Sequence, residues 1–411
     1  ISGIDLSSLA DGDLTLTVHL TDEAGNVGSD ATDTVTKDVV APTGGSLSIN
    51  GGADYATSTS VTLTIAATGA SQMYIAGDIT EEPAWIDYAT TGGVTLTSGD
   101  GVKSVTVKFR DLAGNESAVA SDSITLDTAA PTATISGEPS TPTSSTSATL
   151  TVAGADVVSY KYKVNEGSWS DATAVATQIS LSDLEDGSYT VYVIGADAAG
   201  NWQAEGAATS SSTWTVDTVP PTSQNTAFAT SISVKGGATV TITGTGDSAD
   251  AIWFAPSGTS SFSAGATMTT ASGDAATILA PTAEGTYHLY IIDAAGNVSN
   301  ASTAILTVDD TAPAGYSVSI DQAFINSSNK SAASFTFTGA EVGATYNYAI
   351  SDGEGSVTGS GTIATATDQI SGIDLSSLAD GDLTLTVHLT DEAGNVGSDA
   401  TDTVTKDVVA P

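Results

Sequence analysis

The chain has 411 residues, carries 48 acidic against 9 basic side chains for a formal net charge of −39, and contains no cysteine. This balance argues against nucleic acid and anionic membrane surfaces as partners, because phosphate binding needs clustered Lys and Arg. The lack of cysteine excludes a disulfide framework and thiol chemistry. No apolar run reaches the roughly 18 residues of a membrane span, so no membrane insertion is expected.

Alternating apolar residues predict strands with one buried face, beginning with Leu14, Leu16, Val18 and Leu20. Each later stretch of the chain has an early alternating run, then an aromatic strand, then a second alternating run. The early runs are Leu63–Ile65, Leu150–Val152, Val240–Ile242 and Phe335–Phe337, and the aromatic strands contain Tyr74, Tyr160, Trp253 and Tyr346. About seven short strands in about 90 residues predict an all-β fold of immunoglobulin-like two-sheet sandwiches.

Internal repeats divide the chain. Residues 1–42 and 370–411 are identical, at an offset of 369 residues. Within that offset an Asp four residues before a Pro recurs at steps of 89, 90, 92 and 98 residues, at Asp38, Asp127, Asp217, Asp309 and Asp407. The predicted modules are 1–41 (the incomplete C-terminal part of a module), 42–130, 131–220, 221–312 and 313–411. We expect the natural protein to continue beyond both ends.

Three motifs together resemble a known family of repeats. They are the Asp-x-x-Ala-Pro-Thr linker, the Asp-x-Ala-Gly-Asn hairpin, and the Tyr-x-Tyr strand that runs into Asn-Glu-Gly-Ser-Trp between Tyr160 and Trp169. They are similar to the bacterial Ig-like repeats of giant RTX-type adhesins, which Gram-negative bacteria export by type I secretion. The resemblance implies modules arranged end to end as an elongated rod on the bacterial surface, anchored at the outer membrane. It also implies an extender that holds a distal adhesive domain away from the cell, with Ca²⁺ stiffening the joints.

The geometry of an Ig-like sandwich groups the carboxylates. The loop between the fifth and sixth strands lies where the chain leaves a module, and the hairpin between the sixth and seventh lies where it enters. Each junction therefore collects an exit-loop acid, the linker Asp, and the Asp and Asn of the next hairpin, which are oxygen ligands that suit Ca²⁺. In junction order the predicted ligands are Asp11, Asp38, Asp111 and Asn115; Asp100, Asp127, Asp197 and Asn201; Asp186, Asp217, Asp293 and Asn297; and Glu284, Asp309, Asp391 and Asn395.

Purely structural roles for these acids stay open beside metal ligation. The hairpin Asp can accept hydrogen bonds from turn amides while Gly supplies the left-handed residue. The linker Asp can cap a turn before the proline, and the exit-loop acids precede glycines in turns. The acids that follow the second strand, Asp156, Asp247, Asp250 and Glu341, could join the junction sites, although the second module has Ser71 near that place.

No catalytic constellation is visible, so an enzyme is not expected. The three histidines, His19, His288 and His388, alternate toward solvent and have no nucleophile or ligand cluster beside them. The alternative function is a carbohydrate- or protein-binding module, for which Trp202, directly after a hairpin, is the candidate exposed aromatic residue. Local packing is the other interpretation of Trp202. The expected partners are Ca²⁺ and the neighbouring modules of a monomeric chain.

Overall fold

The computed structural model describes residues 1–410, so Pro411, the last linker proline and the end of the predicted fifth module, lies outside the described residues. Strands dominate these residues, and the helices found are a single 3-10 turn (Glu205–Ala207) and one short α-helix, α1 (Gln224–Ala227). The prediction of an all-β fold is confirmed. Within residues 1–410 no helix is both long and apolar enough to cross a membrane.

Contacts between residues divide the chain into two compact units. The first consists of Ile1–Glu138, Ala148–Leu181 and Tyr189–Thr213, and the second of Pro139–Ser147, Ser182–Ser188 and the chain from Trp214 onward. The five predicted modules are a finer division, and their boundaries stay a prediction.

Residues 1–41 form a hairpin of β1 (Gly12–Val18) and β2 (Ala31–Lys37), in which Gly12 lies opposite Lys37. The predicted inward face is open here, with Leu16 at 53% exposure. In the identical second copy the corresponding Leu385 is fully buried. The same strand sequence is therefore covered in one place and open in the other, because burial depends on a second sheet that packs against it.

After this hairpin, the first unit continues with two sheets that pack face to face around one core. The strands are β3 (Thr43–Ile49), β4 (Tyr55–Ala56), β5 (Ser60–Thr68), β6 (Gln72–Gly77), β7 (Trp85–Asp87), β8 (Thr91–Thr95), β9 (Gly101–Arg110) and β10 (Ala120–Leu126). They are ordered β3-β5-β8 and β4-β10-β9-β6-β7, and β4 runs parallel to β10. Leu63 and Ile65 from one sheet and Val107 and Phe109 from the other are buried together.

The next strands are β11 (Thr134–Ser136), β12 (Ala148–Ala153), β13 (Ser159–Val164), β14 (Thr173–Ala174), β15 (Ile179–Leu181), β16 (Gly187–Tyr189), β17 (Val191–Ala196), β18 (Thr209–Ser210) and β19 (Trp214–Val216). The first unit contains the sheets β11-β12-β15 and β14-β13-β17-β18. In the second unit Thr143 forms a parallel bridge with Val216 of β19. The predicted inward residues Val191 and Val193 of β17 are fully buried.

The second unit continues with β20 (Ile232–Val234), β21 (Thr239–Thr241), β22 (Ala251–Ala255), β23 (Thr269–Ser272), β24 (Thr277–Leu279), β25 (Gly285–Ile292) and β26 (Ile305–Val308). They form the sheets β20-β26-β25-β22-β23 and β21-β24, with β20 parallel to β26. Helix α1 follows the linker proline Pro221, as β3 follows Pro42 in the earlier segment. Phe228, just after α1, packs edge-on against Phe254 at 5.1 Å between ring centroids and so fills the core at that place.

The last strands are β27 (Ser317–Ile320), β28 (Ala333–Thr338), β29 (Thr345–Ser351), β30 (Ser356–Thr362), β31 (Gln369–Ile373), β32 (Gly381–Thr390) and β33 (Ala400–Lys406). They form the sheets β27-β28-β31 and β30-β29-β32-β33. Phe335 and Phe337 of one sheet pack with Leu385 and Val387 of the other, all fully buried. Ile325 forms a parallel bridge with Lys406.

Candidate metal sites at the junctions

The Asp-x-Ala-Gly-Asn hairpin is closed by its own first and last side chains. In Asp111–Asn115, Oδ1 of Asp111 accepts the backbone N–H of Asn115 at 2.9 Å, and Oδ2 accepts the side-chain Nδ2 of Asn115 at 2.8 Å. The turn needs a left-handed residue at Gly114, whose φ is +92°, and glycine adopts it without steric cost. The same two bonds, at 2.7–3.0 Å, recur in Asp22–Asn26, Asp197–Asn201, Asp293–Asn297 and Asp391–Asn395.

The Asn of each hairpin also reaches back to the linker that enters its segment. Nδ2 of Asn115 donates to the backbone carbonyl of Asp38 at 2.9 Å. The bond recurs at 2.9 Å from Asn201 to Asp127, at 2.8 Å from Asn297 to Asp217, and at 2.7 Å from Asn395 to Asp309. All four bonds lie within one unit each. The hairpin is therefore beside the chain entry, and one amide group ties the linker to the hairpin.

The exit-loop acids hold the chain just after the linker Asp. Oδ1 of Asp100 accepts both the backbone N–H and the hydroxyl of Thr128, at 3.1 and 2.9 Å. Asp186 makes the same pair of bonds to Thr218, both at 2.8 Å. Glu284 accepts the hydroxyl of Thr311 at 2.7 Å and the backbone N–H of Asp310 at 3.0 Å.

The first junction departs from this pattern. Asp11 accepts the backbone N–H of Val39 at 3.1 Å and also forms an ion pair with Lys37 at 3.5 Å. Its carboxylate is therefore already neutralised in part by a cation of the chain.

The linker Asp side chains form short turns. Oδ1 of Asp38 accepts the N–H of Val40, two residues on, at 3.0 Å. The corresponding bonds of Asp127, Asp217 and Asp309 measure 3.2, 3.0 and 2.9 Å. Within residues 1–410 no hydrogen bond is found to the other oxygen, Oδ2, of any of the four. Each linker Asp thus combines a structural turn with one carboxylate oxygen that is available to a ligand.

Three of the hairpin carboxylates are buried, those of Asp111, Asp197 and Asp391. Asn395 is 5% exposed and Asp391 8%. The bonds from the Asn115 side chain hold the pKa of Asp111 below its ordinary value, against the opposing effect of burial. Burial raises the pKa of Asp197, but the bonds from Asn201 and the turn amides outweigh burial and leave that pKa below its ordinary value.

The fourth junction shows carboxylates that influence one another. Burial, and after it the charges of Asp391 and Asp309, raise the pKa of Glu341 above its ordinary value. A hairpin Asp, a linker Asp and the acid after the second strand therefore share one electrostatic environment.

The donor set suits a hard divalent cation in kind, because it consists of carboxylate, amide and backbone oxygens. Among the described residues, however, no three His, Asp or Glu side chains stand close enough together to hold a metal ion. The structure brings the hairpin Asn against the linker backbone and the exit-loop acid against the residue after the linker Asp. It does not bring the three carboxylates of a junction into one coordination shell, so metal ligation stays a prediction.

Sequence reasoning missed two elements of the junction. One is the threonine after the linker Asp, which the exit-loop acid binds, and the pairs Asp127-Thr128 and Asp217-Thr218 were the available signal. The other is Ser144, whose backbone N–H donates to the carbonyl of Ala295 in the next hairpin at 2.9 Å. No side chain takes part in this second contact, so the sequence carries no signal for it.

No protein-family model matches the chain, and no curated protein matches it. Among solved structures, it is similar to a tetra-tandem repeat in the extending region of a large adhesion protein, with 19% identity and a TM-score of 0.36 over 89% of this chain and 100% of the other.

Two further solved structures are similar at lower scores. One concerns a 1.5-MDa bacterial ice-binding adhesin, with 16% identity and a TM-score of 0.27 over 91% of this chain and 99% of the other. The second contains the FN1–FN3 domains of chicken CNTN1, with 12% identity and a TM-score of 0.27 over 67% and 98%.

Proposed function

We propose that this chain is a spacer in the extender region of an extracellular bacterial adhesin, in which tandem Ig-like modules project a distal binding domain and Ca²⁺ braces the junctions. It acts by its length and stiffness and not by catalysis. The modules would be connected in series, each fixed to the next through its linker and hairpin.

The observation that carries the proposal is the bond from the hairpin Asn to the linker carbonyl. It appears at all four junctions at 2.7–2.9 Å, although the modules between them differ in sequence. A bond that recurs at every joint is what a spacer needs, because it defines how the chain enters each sandwich. A catalytic or ligand-binding role would not require the same contact four times.

Charge supports a cation at these joints. Two carboxylates about 4 Å apart repel by roughly 4 kcal/mol at an effective dielectric constant of 20. Burial is the larger cause of the raised pKa of Glu341, and the charges of Asp391 and Asp309 add to it, as repulsion between carboxylates would. At the second, third and fourth junctions, the free oxygens of the linker Asp and the exit-loop acid would hold Ca²⁺ together with backbone carbonyls, and the ion would offset the repulsion.

The test is small-angle X-ray scattering on the chain in millimolar Ca²⁺ and in excess EDTA, with a thermal melt of each sample. We expect Ca²⁺ to increase the maximum dimension and to raise the melting temperature. A ligand at about 100 times its Kd stabilises the folded state by roughly 2.7 kcal/mol.

A matched pair of variants makes the test specific. Changing all four linker acids to Asn (D38N, D127N, D217N, D309N) keeps an oxygen for the turn hydrogen bond and removes the charge, so the Ca²⁺ response should disappear. The control removes four exposed charges elsewhere (E82Q, E166Q, D274N, E354Q) and should respond as the unmodified chain does. If neither shape nor melting of the unmodified chain responds to Ca²⁺, the acids serve as turn formers and the calcium proposal is wrong.

A further inference from the structure

Two lysines share the outer face of the sheet β14-β13-β17-β18. Lys161 and Lys163 alternate with the inward Tyr160 and Tyr162 along β13, and the strand register places them opposite Ile194 and Tyr192 of β17. Because residues two apart on a strand point to the same side, both ammonium groups lie on one face.

Aromatic rings hold both ammonium groups. Nζ of Lys161 lies 4.8 Å from the ring centroid of Trp202, and Nζ of Lys163 lies 5.5 Å from that of Trp169 and 5.3 Å from that of Tyr192. These are cation–π distances. We call these five residues the aromatic–lysine face, and all five are half-buried, so side-chain surface remains accessible on each.

The charge of this face is opposite to that of the chain. Two of 9 basic residues stand side by side in a chain with 48 acidic ones. The ion pairs of residues 1–410 involve Lys37, Lys108 and two histidines, and neither lysine of the face takes part in one. A positive surface that the abundant carboxylates of the chain leave unpaired is suited to an external anion.

The corresponding sheet faces of the other segments differ. Trp253 and Tyr290 are paired at the equivalent register in the β22–β25 pair, and Asn347 and His388 in the β29–β32 pair. Neither pair contains a lysine. In the β6–β9 pair the same register joins Tyr74 to Lys108, but Lys108 forms an ion pair with Glu116. Two neighbouring lysines without a carboxylate partner are therefore found in the β13–β17 pair and not in the other three.

We infer that the aromatic–lysine face binds an acidic oligosaccharide, with a uronate carboxylate on the lysines and a sugar ring against the aromatic side chains. A carboxylate forms strong charge-assisted hydrogen bonds with an ammonium group. The apolar C–H face of a sugar packs on an indole or phenol ring, as apolar groups do. The cation–π contacts keep the ammonium groups in position before the ligand arrives, which lowers the ordering cost of binding.

The surrounding negative charge does not forbid this. Charges beyond about 8 Å are screened at physiological ionic strength, so the carboxylates that lie farther than this from the face weaken anion binding little. The inference goes beyond the spacer function and does not depend on Ca²⁺. Such a chain would attach to an acidic polysaccharide through this one sheet.

The experiment is isothermal titration calorimetry of the full chain with tetragalacturonate at low salt in EDTA, which removes any calcium bridge. We expect binding that weakens as NaCl is added, and about tenfold or greater weakening in the variant K161Q/K163Q, since each lost charged bond contributes at least that factor. The control K108Q/K235Q removes two lysines from other faces and should bind within about twofold of the unmodified chain.

Two further samples separate the alternatives. The variant K161R/K163R should retain binding, and W202A should weaken it while the charge is unchanged. Undetectable binding of tetragalacturonate would overturn the inference and leave the face as a purely structural packing of lysine stems on rings. Equal binding of tetraglutamate, or of neutral maltotetraose, would also overturn it, because recognition would then be of charge alone or of stacking alone.

Discussion

Replacement of Asn395 by Ala tests the junction bond most directly. The change removes two hydrogen bonds from one buried amide: the bond to the backbone carbonyl of Asp309 at 2.7 Å and the bond to the carboxylate of Asp391 at 2.9 Å. A neutral hydrogen bond contributes about 1 kcal/mol and one to a charged group about 1.5–3 kcal/mol, so the expected loss is about 2.5–4 kcal/mol. The carboxylate of Asp391 would also lose a partner while it remains buried.

The duplicated sequence supplies the control. Asn26 stands in the same 42-residue sequence as Asn395 and bonds Asp22 at 2.9 Å, but it is exposed and makes no bond to a linker carbonyl in the described structure. Asn26→Ala should therefore leave the strands after residue 312 unchanged. The comparison separates the effect of the junction from the intrinsic effect of the substitution on the hairpin.

Residues 313–411 contain no tryptophan, so their unfolding cannot be followed by tryptophan fluorescence. Hydrogen exchange with mass spectrometry measures the result instead, on peptides from β32 and β33. A loss of about 2.8 kcal/mol predicts roughly 100-fold faster exchange of the slowest amides in these strands, since each 1.4 kcal/mol is tenfold. Exchange within about twofold of the unmodified chain would refute the assigned role of the bond. Equal acceleration in β32 and β33 by Asn26→Ala would refute it as well.

Two further predictions concern stability. Backbone N–H groups of Ala379, Gly355 and Glu354 lower the pKa of Asp352 to about 2, below its ordinary 3.8. The ionised carboxylate therefore stabilises the folded state above pH 4, and this stabilisation is lost as the pH falls toward 2. Asp352→Asn should flatten that part of the acid melting profile of the β29–β30 hairpin, and an unchanged profile would contradict the assignment. Phe109→Ala empties a fully buried position beside Tyr88 and should destabilise its sandwich by about 3–5 kcal/mol. Hydrogen exchange of peptides from β5 and β9 measures this loss, and a loss below about 1 kcal/mol would show that the core collapses to fill the space.

Strand positions were predictable because alternation reports burial directly. Leu383, Leu385, Val387 and Leu389 are all fully buried, as their period of two predicts. The same pattern misleads where no sheet covers it, as at Leu16 in the first copy. Alternation specifies which residues share a face, and only tertiary packing decides whether that face is buried.

Other features depend on long-range packing and have no local signal. Trp253 lies on the outer side of β22, between the fully buried Ile252 and Phe254, and packs against Phe262 at 5.6 Å between ring centroids. Lys406 is 3% exposed in β33 and donates to the backbone carbonyl of Leu378, although lysine is rarely buried. Helix α1 stands between Pro221 and β20, and Phe228 directly after it fills the core against Phe254.

At the junctions, the sequence predicted which Asp, Glu and Asn residues lie near the linkers, but not which hydrogen bonds they make. The hairpin Asn was predicted to offer an oxygen to a metal ion, whereas the structure uses its Nδ2 as a donor to the linker carbonyl. An amide presents both a donor and an acceptor, and the sequence does not indicate which one faces the linker. Its Oδ1 remains compatible with the predicted ligand role, which stays untested.

The parallel pairing between an early segment and the last strand of each sandwich has a mechanical consequence. β4 pairs with β10 and β20 with β26, and single parallel bridges join Thr143 to Val216 and Ile325 to Lys406. In each case the entering chain and the leaving chain run side by side in the same direction, so tension on the two ends slides one past the other. Force applied to the two ends therefore loads these hydrogen bonds in shear, so that they must break together. In a peeling geometry they would break one at a time. Resistance of a sandwich to mechanical pulling would come from these short pairings, however small their share of the folding free energy.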